Sequence, residues 1–166
     1  MKLRKMTFAA LLTACALIIF TVEAQLPSLT PVPGIKPGLA NIITVFCLCT
    51  LGAKYALGIL IARVLLGSFL TGQVSAVLYS LSGGLLAWGV SALLRRFFPV
   101  ERVWVLSVFS AIAHNCGQIL CAVLITETAS LFWYLPVLLI AGIITGAFTG
   151  LCAQLLLRRL GHRLRF

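Results

Sequence analysis

The sequence predicts an all-α integral membrane bundle of six transmembrane helices, one domain over residues 1–166 with both termini cytoplasmic. Three observations predict it. Apolar residues make up 61% of the chain and charged residues 10%, whereas a soluble domain carries about 25% charged residues to cover its surface. Mean hydropathy is +1.14, so lipid rather than water is the solvent this surface suits. The apolar runs are continuous, without the polar alternation of a β-barrel. At roughly 20 residues per crossing of hydrocarbon, six spans with short loops nearly exhaust the 166 residues.

Charge placement sets the orientation. The formal net charge is +10, and it is clustered. Lys2, Arg4 and Lys5 precede the first apolar run, Arg95, Arg96 and Arg102 flank Pro99, and Arg158, Arg159, Arg163 and Arg165 close the chain. Basic clusters at alternate ends of apolar runs follow the positive-inside pattern of a multi-pass protein of the cell membrane. The same placement argues against nucleic acid as a partner, because no soluble basic face exists to carry it.

Span one covers residues 6–22. It also mimics a secretory signal, with Val22-Glu23-Ala24 where cleavage would fall, but the charge pattern works best if it stays as a span. Residues 23–38 hold four of the six prolines (Pro27, Pro31, Pro33, Pro37) beside Gly34 and Gly38. Proline fixes φ and removes a donor, so this outer loop is stiff and non-helical. It is either a rigid connector or a lid over a cavity. Span two covers 39–51, short enough to be tilted or partly re-entrant, and Gly52-Ala53-Lys54 turns inside. Span three covers 55–70, Thr71-Gly72-Gln73 turns outside, and span four covers 74–94. Spans five (103–125) and six (131–157) follow, joined outside by residues 126–130. Lys36 is the external basic residue.

Polar residues inside the membrane are few. Arg63 lies near the midplane on a 1.5 Å rise, where an Arg costs at least ~2.5–3.5 kcal/mol on insertion scales. A carboxylate is the usual remedy, yet the chain has no Asp, and Glu23, Glu101 and Glu127 all map near helix ends. Arg63 therefore points to a ligand with its own negative charge or acceptors, the alternative being satisfaction by carbonyls and waters. His114, Asn115 and Gln118 share one stripe of span five at helical spacing, with Gly117 allowing close backbone approach. They read as a binding site or as glue between helices. Asn41 enters near the outer end of span two. Lys36, Asn41, Arg63, His114, Asn115 and Gln118 together suggest a substrate cavity open to the outside, beneath the proline-rich loop.

Small residues recur at four-residue spacing. Gly142, Gly146 and Gly150 in span six, and Ala10 and Ala14 in span one, form smooth helix faces. Internal packing is the simplest use, and docking of another subunit is the alternative. The cysteines at 15, 47, 49, 116, 121 and 152 fall in apolar runs and read as small buried hydrophobes. Cys47-x-Cys49 lacks zinc-site spacing, so neither metal nor cofactor is expected. There is no phosphate-cradling glycine loop and no paired intramembrane carboxylates, so energy for transport would come from a partner.

Several segments in order resemble the family called heptaprenyl diphosphate synthase component I, also labelled Gx transporters. They are Pro33-Gly34-Ile35-Lys36-Pro37-Gly38-Leu39-Ala40-Asn41, Arg63-Val64-Leu65-Leu66-Gly67-Ser68, Tyr79-Ser80-Leu81-Ser82-Gly83-Gly84, Ala113-His114-Asn115-Cys116-Gly117-Gln118, and Tyr134-Leu135-Pro136 followed by Gly142-Ile143-Ile144-Thr145-Gly146. That family in turn is similar to the substrate-binding S components of energy-coupling-factor transporters. The resemblance implies six helices, an outward site under the first loop, and docking through Ala10 and Ala14 onto an energising transmembrane subunit with ATPases. It implies uptake of a small organic molecule, with isoprenoid- or quinone-related substrates in view. The alternative is a non-catalytic accessory subunit of a polyprenyl diphosphate synthase. Catalysis by this chain is not expected, because a Mg²⁺–diphosphate site needs carboxylate oxygens that a chain without Asp does not supply. Nor does the sequence place a carboxylate or metal near His114 for a lipid-modifying enzyme.

Overall fold

The computed structural model describes residues 2–26, 36, 38–72 and 74–160. Pro27, Pro31, Pro33, Gly34 and Pro37 of the expected stiff loop, Gln73, and the C-terminal Arg163 and Arg165 lie outside the described residues. Among the described residues the chain forms helices and turns and no strand. The helices are α1 (Lys2–Glu23), α2 (Asn41–Thr50), α3 (Ala53–Thr71), α4 (Val74–Leu94), α5 (Val103–Thr126) and α6 (Leu135–Leu160), with 3₁₀ turns at Val100–Arg102 and Ala129–Tyr134. The all-α membrane architecture stands. The last helix starts later than expected, at Leu135, and the 3₁₀ turn takes residues 129–134. Pro136 suits the first turn of a helix, where no N–H is needed, and not its interior.

Among the described residues, five helical stretches are long and apolar enough by length and composition to cross a membrane, and α2, the expected span two, is not among them. Its 10 residues rise only ~15 Å, about half the hydrocarbon thickness. The chain is bent at both ends of this helix, at Gly38 (φ 83°) and Gly52 (φ 95°), values that favour glycine. Seven residues of α2 are buried, from Asn41 through Leu48 with only Ile42 omitted, and it packs against all five other helices. It is a half-length core helix enclosed by the bundle. Its N-terminus therefore ends at mid-bundle depth.

The larger apolar core surrounds the C-terminal half of α2. Leu12 and Ala16 of α1, Val45, Phe46 and Leu48 of α2, Ile59 of α3, Leu106 of α5 and Leu157 of α6 meet there. A smaller cluster, Tyr79, Ile119, Ala122, Leu131 and Leu138, closes the opposite end. In lipid, such packing is held by dispersion and close fit rather than by expulsion of water. Large apolar side chains such as Phe69, Leu124 and Ile144 are exposed on the perimeter, as a lipid-facing surface requires.

The glycine row of α6 is used internally. A Cβ at Gly142 would fall 2.6 Å from Asn115 Nδ2, at Gly146 2.9 Å from Ala111 Cβ, and at Gly150 2.6 Å from Trp104 Cα. The row is thus the groove into which α5 packs. Ala10 and Ala14, by contrast, are exposed on the outer face of α1. All six cysteines are free; Cys47 is buried and the others half-buried.

Candidate functional site

Between the two apolar clusters lies a polar centre built on the N-terminus of α2. Arg63, near the middle of α3, is 2% exposed, and its Nη2 donates to Asn41 Oδ1 at 2.8 Å. Asn41 is the first residue of α2, so this bond ties the middle of α3 to that end. Lys36 is also buried, at 7% exposure. Its Nζ stands 4.0 Å above the centre of the Phe20 ring, a cation–π contact worth ~2 kcal/mol or more when desolvated.

The residue that sequence reasoning missed is Glu23. It ends α1 as expected, but it is buried and turned inward. Its Oε1 accepts from Gly38 N–H and, at 2.8 Å, from Leu39 N–H, while Oε2 accepts from Ala40 N–H at 3.5 Å. A carboxylate thereby meets the free N–H groups that open α2, where the helix dipole is positive. Glu23 lines one cavity with Arg63, Lys36, His114, Phe20 and Ser80, so the expectation that every carboxylate stands apart from Arg63 is corrected. The available signal was positional. Glu23 is one of three acidic residues in the chain and precedes the same connection that carries Lys36.

The three polar residues of α5 separate in function. His114 faces the cavity and lies against two glycines. A Cβ at Gly38 would fall 2.8 Å from His114 Cδ2, and one at Gly83 would fall 3.0 Å from its Nδ1. Gln118, oriented so that each amide atom meets its complement, donates to Lys36 C=O at 2.9 Å and accepts from Lys36 N–H at 3.3 Å. It grips the backbone of the residue whose side chain enters the cavity. Asn115 turns the other way, donating from Nδ2 to Leu138 C=O of α6 at 2.6 Å. One residue faces the cavity, one positions Lys36, and one joins helices.

The cavity is tight. Its volume is about 10 Å³, room for about one water. Among the described residues, Lys36 Nζ, Arg63 Nε and Asn41 Nδ2 find no hydrogen-bond partner. Such atoms cost ~1–3 kcal/mol each when buried. Burial also lowers the pKa of Lys36 from 10.5, with Glu23 acting upward and Arg63 downward.

A family model described as heptaprenyl diphosphate synthase component I matches residues 12–156. The chain belongs to the heptaprenyl diphosphate synthase component I family. No curated protein and no solved structure matches it. The family match takes in Glu23, Lys36, Asn41, Arg63, His114 and Gln118, so the whole polar centre lies within the part of the chain that defines membership. Of the two exposed alanines of α1, Ala14 falls inside the matched region and Ala10 just before it.

Proposed function

We propose that this chain is the substrate-binding membrane subunit of an importer, of the S-component type that works with an energy-coupling-factor module. The observation that carries the reading is the pair of buried cations, Arg63 and Lys36, on one cavity with the single carboxylate of Glu23. Burying charge without full compensation costs several kcal/mol in an apolar interior. Binding a ligand is a physical reason to hold such a centre open to rearrangement. His114 and Ser80 add neutral hydrogen-bonding groups to the wall, and a few polar groups in an apolar wall are usual for small-molecule pockets.

The site lies at the N-terminus of a half-length helix, an arrangement that membrane transporters use to bring backbone N–H groups to a substrate at depth. In the closed arrangement the cavity admits a group of about one water's size. Uptake of a larger molecule needs the connection at Lys36 or the end of α1 to move. The sequence has no nucleotide-hydrolysing loop, so an ATPase-bearing partner supplies the energy, and the exposed face of α1 at Ala10 and Ala14 is its docking surface.

The family name favours a second reading. In it the chain is a non-catalytic membrane component that holds a prenyl diphosphate synthase at the bilayer through its basic segments, Arg95 to Arg102 and Arg158 to Arg165. Catalysis by the chain itself is not part of either reading, since it has no Asp for a Mg²⁺–diphosphate site.

Native mass spectrometry of the purified protein, wild type beside Arg63→Ala, separates the two. A small molecule retained by the wild type and lost from the variant supports the binding subunit and reports its mass. If both carry only bulk lipid while a prenyl synthase subunit co-purifies, the accessory reading replaces it.

A further inference from the structure

The charge count at the polar centre names a class of ligand. Arg63 and Lys36 contribute two positive charges to the cavity and Glu23 one negative. Glu101 and Glu127 are exposed elsewhere, and Glu23 is the carboxylate that acts on both cations. The Glu23 charge is moreover shared with the N–H groups of Gly38, Leu39 and Ala40. One positive charge is left over among buried groups. The second observation is the Lys36 ammonium, which lines the cavity, is more than nine-tenths buried, and has no hydrogen-bond partner among the described residues. Its contact is the face of Phe20, which attracts a cation far less than a carboxylate does.

We infer that this cavity is a site for one carboxylate group of a monoanionic ligand, held between Lys36 and Arg63 with His114 beside it and Glu23 as the fixed counter-charge. The inference rests on the binding-subunit reading and gives it a substrate class. Charge-assisted bonds to a carboxylate would satisfy Lys36 Nζ and Arg63 Nε together. Gln118 holds the Lys36 backbone, so room for the ligand comes from movement at the end of α1, and the flexible four-carbon stem then swings the ammonium from the Phe20 ring to the carboxylate. A diphosphate is disfavoured, because its two or more negative charges exceed the one positive charge available and leave excess charge buried.

The test is thermal unfolding of the full chain in a nonionic detergent, followed by tryptophan fluorescence, with benzoate, benzamide and pyrophosphate as probes. Benzoate is expected to raise the midpoint by several degrees through preferential binding to the folded state. Benzamide, its neutral analogue, and pyrophosphate are expected to leave it unchanged. Lys36→Met should lose the benzoate shift and Lys36→Arg should keep it, with the unliganded midpoint reporting folding separately. Should Lys36→Met not fold, Lys36→Gln serves in its place. Glu23→Gln keeps an acceptor for the α2 N–H groups but adds one net positive charge, so phthalate should then outperform benzoate.

Equal shifts from benzoate and benzamide, no benzoate shift, or a benzoate shift that survives in Lys36→Met each overturn the carboxylate site. A neutral molecule retained by the wild type and lost from Arg63→Ala would, with no benzoate shift, leave the binding subunit standing without this substrate class. Protein free of any small molecule and indifferent to benzoate removes both.

Discussion

Arg63 and Asn41 are 22 residues apart in sequence and joined by a buried 2.8 Å hydrogen bond. The bond fastens the middle of one membrane-spanning helix to the first residue of a helix too short to span. A guanidinium in lipid is costly, and the half-length α2 makes it tolerable by ending inside the bundle. Its end brings Asn41 to Arg63 directly and, through the turn at Gly38, brings Glu23 to the same cavity. The depth of the polar centre is therefore a consequence of where α2 begins.

Asn41→Leu removes the acceptor of a buried charged donor while keeping the branched heavy-atom skeleton. It should destabilise the protein by about 1–3 kcal/mol or more, read as a lower unfolding midpoint in micelles. Asn41→Asp places a carboxylate against Arg63 instead. It should fold at least as well as the wild type, but it cancels the uncompensated charge and should lose the benzoate response. An Asn41→Leu protein as stable as the wild type would mean that Arg63 has other acceptors.

The crossing of α4 and α5 is set by two glycines. A Cβ on Gly117 would fall 2.9 Å from Gly83 Cα and 3.0 Å from Ser82 C=O, and a Cβ on Gly83 2.7 Å from His114 C=O. These are rigid backbone obstacles. Gly83→Ala and Gly117→Ala should each force the helices apart, destabilising the protein and displacing His114. Gly89, on the same α4, has nothing within 4 Å of its Cβ position, so Gly89→Ala should gain roughly 0.5–1 kcal/mol from helix propensity. Thermal midpoints of the three variants check this, and equal midpoints for Gly83→Ala and Gly89→Ala would remove glycine contact as the cause.

The bundle was legible in the sequence because apolar runs of span length, broken by basic or glycine-containing turns, carry an unambiguous signal. Arg63, His114 and Asn41 stood out for the same reason, as polar residues where lipid permits few. The separate tasks of Asn115 and Gln118 were not legible. Both sit on the stripe of His114, and only the azimuth of α5 against α6 and the Lys36 segment distinguishes a bond to Leu138 C=O from one to Lys36. The short reach of α2 was half-visible, since 13 residues between glycine-containing turns already fell below a crossing. Glu23 was missed because a carboxylate at a helix end normally meets water. What turns it inward is the return of the chain at Gly38, a long-range contact that no local pattern encodes.

Gln118 offers the means to loosen one segment alone. Gln118→Met preserves length and apolar volume but removes both bonds to the Lys36 backbone. Hydrogen exchange at Lys36 and the residues leading into α2 should speed up markedly, while amides of α6 stay protected. The benzoate response should weaken with it, since Lys36 loses its anchor. Unchanged exchange in the 36–40 region would show that Glu23 alone holds the segment.

The Lys36 ammonium makes stability depend on alkaline pH with a definite sign. Burial lowers its pKa in the folded protein below 10.5, outweighing the upward pull of Glu23, with Arg63 adding to the lowering. Between the lowered folded value and 10.5 the unfolded chain binds the proton more tightly than the folded one. Unfolding then takes up protons, so the stability of the ligand-free protein contributed by this residue rises as pH increases across that window. Lys36→Met lacks the titrating group. The difference in stability between wild type and Lys36→Met, followed by denaturant unfolding through the alkaline range, should therefore shift in favour of the wild type as pH rises. Benzoate binding should move oppositely, fading as the ammonium that receives the carboxylate loses its proton. A difference that instead shifts against the wild type with rising pH would mean that Glu23 stabilises the ammonium more than burial opposes it, and the cavity would then carry a closed ion pair rather than a cation awaiting an anion.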